Sequence, residues 1–98
     1  MSNSINIDAG EGDSLLPMRR DLAHRRAGQE ALVRDSEGGM VHFLSPTAAV
    51  IWDCCDGATT YAACEAKLRE AFDVPSATDL AQDIREALAD FEKRGLLE

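Results

Sequence analysis

Long apolar runs are missing from this sequence, and so are most of the residue patterns that carry chemistry in small enzymes. No stretch approaches the roughly 20 apolar residues that span a bilayer, so a membrane helix is not expected. The opening "MSNSINIDAGEGDSLL" has neither the basic start nor the apolar block of a secretory signal, and a cytoplasmic location is the expectation. Basic residues are in deficit: ten against eighteen acidic ones leave a net charge of −8. That charge repels a phosphate backbone and anionic lipid surfaces, so neither nucleic acid nor membrane is expected as a partner. Aromatics are scarce at 5%, which makes the single Trp52 and the single Tyr61 conspicuous. Glycine-rich phosphate loops and Ser-His-Asp patterns are absent too, and with them the usual reasons to expect catalysis or a bound cofactor.

Cysteine is limited to Cys54, Cys55 and Cys64. An odd number of thiols without an export signal fits a reducing compartment and argues against a disulfide framework. Zinc would need four ligands in paired spacing, whereas two of these cysteines are adjacent and the third lies nine residues on, so no metal ligand is expected. A nucleophilic thiol would need a neighbouring base, and neither His24 nor His42 is placed beside a cysteine by sequence. Both histidines read as strand residues with partly exposed rings. Cys55 and Cys64 read as small hydrophobes on apolar helix faces, and Cys54 falls toward the other side of its helix.

What is present fits one small domain of 98 residues. Met1 to Ser14 is polar and without apolar period, the composition of a flexible tail, leaving 15–98 as the domain. Three extended segments follow, "DLAHRR", "EALVRD" and "MVHFL", separated by "AGQ" and "SEGG", whose glycines suit tight turns. Ser45 and Pro46 then supply an N-cap and a pre-set first helical residue. Ala48, Ile51, Trp52 and Cys55 share one helical face, and Asp56-Gly57 ends that helix. Tyr61, Cys64, Leu68 and Phe72 mark a second helix, which Pro75 terminates. "SATD" suggests a capping box of Ser76 and Asp79 for a third helix, with Leu80, Ile84, Ala87, Leu88 and Phe91 as its apolar face and Gly95 as its stop. The expected class is α+β: a three-stranded antiparallel sheet followed by three helices, one sheet face covered by the helices.

Two surface features stand out. Asp79, Asp83, Glu86 and Asp90 recur at helical spacing beside the third helix's apolar face, a solvated stripe that could also orient a basic segment. "MVHFL" contains no proline or lysine to blunt it, so if it lies at a sheet edge its unpaired N–H and C=O groups invite another extended chain.

The runs "VHFLSPTAAVIWDCCDG", "TTYAACEAKLREAFDV" and "DLAQDIREALADFEKRGLLE" closely resemble the PqqD family, the coenzyme PQQ synthesis protein D-like peptide-binding domains also called RiPP recognition elements. The likeness covers about Leu15 to Glu98, carried by Ser-Pro-Thr-Ala-Ala, Ile51-Trp52, Asp56-Gly57 before Thr59-Thr60, Asp83, and the terminal Gly95-Leu96-Leu97. The resemblance implies a winged-helix-like fold and a non-catalytic role as a peptide chaperone in natural product biosynthesis. Such a domain captures the leader of a ribosomally made precursor peptide and presents it to a modifying enzyme, often a radical S-adenosylmethionine maturase. The leader is expected to add as a strand beside the third strand. By position, the cleft would be lined by Met40, Val41, His42, Phe43 and Leu44 on one side, and by Leu80, Asp83, Ile84, Ala87 and Phe91 on the other. A winged-helix DNA-binding regulator is the alternative, but it would need a basic recognition helix, and none is present. A thiol enzyme built on Cys54 and Cys55 is a third reading.

Overall fold

The structure, a computed structural model, describes residues 12–98. Strands β1 (Ala23–Ala27), β2 (Glu30–Asp35) and β3 (Met40–Leu44) are followed by helices α1 (Pro46–Cys54), α2 (Tyr61–Ala71) and α3 (Leu80–Lys93). The strands form one antiparallel sheet in the order β1-β2-β3, giving the expected α+β arrangement. Residues 1–11 of the expected tail lie outside the described residues. Ser14, also assigned to that tail, has its carbonyl accepting from the Tyr61 N–H at 2.9 Å.

Turn chemistry sets the sheet register. Gly28 has φ 67° at the first central position of the two-residue turn between Ala27 and Glu30, the geometry of a type II′ hairpin. Asp35 Oδ1 then accepts from the Glu37 and Gly38 N–H groups at 3.2 and 3.3 Å, closing the second turn. In this register Ala31, Val33 and Leu44 point inward and are buried. His42 sits opposite Val33 on the same inner face and is 9% exposed. The expectation of a partly exposed ring is therefore corrected for His42, because strand alternation puts residues 42 and 44 on one side. His24, on the outer strand β1, is exposed.

The helices start and stop on local signals. Ser45 Oγ accepts from the Ala48 N–H at 3.2 Å, and Thr60 Oγ1 from the Ala63 N–H at 3.1 Å. Asp79 caps α3 alone, its carboxylate accepting from the Gln82 N–H at 3.1 Å. Ser76 takes no part, which corrects the capping-box expectation: the turn in which Thr78 N–H bonds the Pro75 carbonyl leaves it three residues upstream of the Asp79 cap. At the other end Gly95, φ 74°, donates to the Glu92 carbonyl at 3.1 Å and Leu96 to the Phe91 carbonyl at 2.9 Å. This Schellman arrangement folds Leu96 fully into the core.

Trp52 lies at the centre, fully enclosed and edge-on to Phe91 at 5.6 Å between ring centroids. An extended arm before β1 closes the C-terminal end of α1: Arg19 N–H donates to the Cys55 carbonyl at 2.9 Å, and its guanidinium to the Asp53 carbonyl at 3.1 Å. These bonds satisfy carbonyls that the helix itself leaves open. Cys54 is buried, not turned outward as expected, because α2 brings Cys64 against it.

Candidate functional site

β3 is an edge strand with no neighbour on its outer side among the described residues. The two-residue hairpin makes Ala27 and Glu30 a hydrogen-bonded pair, and antiparallel alternation then assigns Glu30, Leu32 and Arg34 to β1 and Ala31, Val33 and Asp35 to β3. Met40, His42 and Leu44 thus spend their main-chain groups on β2, while Val41 and Phe43 aim theirs at the open edge. The Phe43 carbonyl confirms this direction by accepting from Arg94 Nη1 at 3.2 Å, across the edge from α3. The five large hydrophobic side chains exposed among the described residues include three on this strand, Met40, Val41 and Phe43, each more than half exposed. β1 is an edge as well, but it carries His24, Arg25 and Arg26, the charged composition that blunts strand pairing.

The Cα traces of β3 and α3 nowhere approach within 8 Å, and the hydrogen bond from Arg94 to Phe43 links the end of α3 to the strand. The sequence-predicted lining divides into surface and support. Met40, Val41, Phe43 and Asp83 are exposed and Ala87 is half-buried, so these five present side chains to solvent. Leu44, Leu80, Ile84 and Phe91 are core residues and His42 is nearly so, so these five present little side-chain surface. Three carboxylates of the acidic stripe already have local work: Asp79 caps α3, Glu86 accepts from Gln82 Nε2 at 2.9 Å, and Asp90 pairs with Arg94 Nε at 3.0 Å. The Asp83 carboxylate alone of the four has no hydrogen bond or ion pair among the described residues. Arg94 is the residue that sequence reading passed over. Its signal was a cation directly before the helix-ending Gly95, which fixes where the side chain emerges.

The family described as coenzyme PQQ synthesis protein D (PqqD) matches residues 30–97, from the start of β2 through the terminal Leu97. The chain belongs to the PqqD family. No curated protein and no solved structure matches it. PqqD-family members are accessory binding proteins of PQQ and related peptide-product biosynthesis rather than catalysts, and they work with a precursor peptide and a biosynthetic enzyme.

The remaining reactive groups of this PqqD-family chain lie away from the edge. All three thiols are buried. Burial pushes Cys55 up to about 12, and Cys64, donating to the Cys54 sulfur, is held well above the ordinary thiol range. That same bond lowers Cys54. Thiols this enclosed react slowly whatever their charge, so iodoacetamide is expected to leave the native chain unmodified over a period in which the denatured chain takes up three adducts. Mass spectrometry reads the outcome, and rapid native labelling would reopen the thiol-enzyme reading. No group of three or more His, Cys, Asp or Glu among the described residues is arranged to hold a metal ion, and no helix there is long and apolar enough to cross a membrane.

Asp56 organises the turn between α1 and α2, with Oδ1 accepting from the Ala58 N–H at 2.9 Å and the Thr59 hydroxyl at 3.0 Å. These bonds hold its carboxyl below the usual range, led by the Ala58 N–H. A depressed folded value favours the native state above the unfolded pKa, about 3.9 for Asp, and the contribution is lost as pH falls through the folded value. Denaturant unfolding is therefore expected to show stability declining below about pH 4, with Asp56→Asn flattening part of that decline.

Proposed function

We propose that this PqqD-family chain binds the leader of a ribosomally made precursor peptide as a fourth strand on β3 and presents it to a modifying enzyme, for which a radical S-adenosylmethionine maturase is the type. The observation that carries this reading is the coincidence of an unpaired edge with exposed apolar side chains on the same strand. An added backbone sits about 4.7–4.9 Å from its neighbour, and the α3 backbone keeps its Cα atoms more than 8 Å from those of β3. Main-chain bonds to Val41 and Phe43 supply affinity, and the surfaces of Met40, Ala87 and Asp83 select the side chains, Asp83 favouring a cation. Strand pairing with a few apolar anchors supports Kd values in the micromolar to nanomolar range, about −8 to −12 kcal/mol.

In the free chain the Arg94 guanidinium occupies the Phe43 carbonyl that the leader's N–H would take. The test is an amide-shift titration with the leader of a short peptide encoded beside this gene. Val41 and Phe43 are expected to shift first. Arg94→Met is expected to tighten binding by roughly 2- to 5-fold, the worth of an exposed charged contact that no longer competes. Shifts confined to the helices, with β3 unmoved, would refute the strand-addition reading.

A further inference from the structure

An antiparallel sheet with one face on the core normally turns polar residues outward on the other. The outer face here departs from that rule. Opposite the helices, its successive cross-strand rows are Arg25–Leu32–Phe43 and Ala23–Arg34–Val41. Two guanidiniums are thus interleaved with three larger apolar side chains, around a concavity of about 560 Å³ that includes Arg25, Leu32, Arg34 and Val41 in its lining. The outward carboxylate of the three strands is Glu30, at the hairpin end beside Ala27. In a chain of net charge −8, the outward strand residues carry Arg25 and Arg34 against Glu30, a net charge of +1. Most other arginines are engaged: Arg19, Arg20, Arg26, Arg69 and Arg94 each bond a carbonyl or a carboxylate. Arg25 and Arg34 have no such partner among the described residues.

We infer that this outer face is a second docking surface, adjoining the β3 edge, and that it receives the modifying enzyme through a protein surface that sets carboxylates around an apolar centre. The occupant's identity as that enzyme rests on the function proposed above; the chemistry of the face does not. Two guanidiniums beside apolar contact area are the composition of interface centres, where arginine is enriched. A nucleic acid is disfavoured by the net charge, and a second copy meeting face to face would set like charges together. The two surfaces are continuous. Val41 and Phe43 give their main-chain groups to the edge and their side chains to this face, so a strand bound at the edge widens the face and adds its own alternate side chains. The enzyme would then meet a larger surface on the loaded domain than on the empty one.

The test uses a stapled amphipathic helix with leucines along one side flanked by glutamates, a probe that cannot add as a strand. A matching helix with lysines replaces it as control. Titrated into the labelled full chain, the glutamate helix is expected to shift the amides of Arg25, Leu32, Arg34 and Val41, and the lysine helix those of α3. The double variant Arg25→Glu/Arg34→Glu is expected to weaken the glutamate helix by ~10-fold or more while keeping leader affinity within about twofold, since neither residue belongs to the edge. The inference is overturned if the glutamate helix leaves the sheet amides unmoved, if the double variant binds it equally well, or if the face is covered in solution by a second copy that the double variant releases. Leader binding is read separately in the same samples: its loss in the parent chain would sink the strand-addition reading, and its retention beside a silent face would sink this one.

Discussion

Trp52→Ala is expected to lower the free energy of unfolding by about 3–5 kcal/mol, the range for removing a large buried aromatic. The ring is enclosed on every side and meets Phe91 edge-on, so truncation removes contacts from α1 and α3 together. For a domain whose total stability falls near the low end of about 5–15 kcal/mol, this approaches the whole margin. Trp52 Nε1 is buried without a hydrogen-bond partner among the described residues. Trp52→Phe keeps most of the apolar volume and deletes that unpaired donor, whose burial itself costs about 1–3 kcal/mol. The phenylalanine variant is therefore expected to stay close to the parent in chemical denaturation while the alanine variant unfolds far earlier. Equal losses in the two variants would show that ring volume is not what holds the centre.

Two neighbouring proline substitutions should separate binding from folding. The N–H of Val41 points to the open edge, so Val41→Pro removes no bond of the sheet, and proline is tolerated on edges. An incoming leader, however, loses one main-chain partner and leaves its own carbonyl unsatisfied, worth about 1–3 kcal/mol or roughly a 5- to 150-fold rise in Kd. His42→Pro does the reverse. Its N–H belongs to the ladder with Val33, so the variant orphans a buried carbonyl at about 1–3 kcal/mol and is expected to melt early. Calorimetry for leader affinity and thermal unfolding for stability read the pair. A Val41→Pro chain that binds like the parent would mean that the edge is not the docking rail.

Much of this architecture was legible from local chemistry. Ser45-Pro46, Thr60 and Gly95 mark helix ends by mechanisms that act within a few residues, and the structure uses each of them. The hairpins were equally readable, because Gly28 and Gly39 supply the positive φ those turns require. What escaped depends on contacts between distant segments. Cys54 looked outward by helical period, yet the return of α2 closes over it. Ile84 and Phe91 were expected to line a cleft, but they are spent on the core, and the neighbours that enclose them come from other elements. Arg94 could be placed at the helix end by its position before Gly95, but not at the β3 edge, since its partner, Phe43, lies 51 positions away. The five residues of β3 were read correctly as one strand, but only the sheet register divides them into two that turn main-chain groups to the open edge and three that do not.

A single residue, Ser45, separates the last position of β3 from the first of α1. The C-terminal end of β3 is thereby tied directly to the Trp52 helix, which leaves the strand proposed to receive the leader little slack there. The guest must therefore bear nearly all the ordering entropy, so a leader stiffened in extended form by N-terminal or backbone constraint should gain affinity without any new contact.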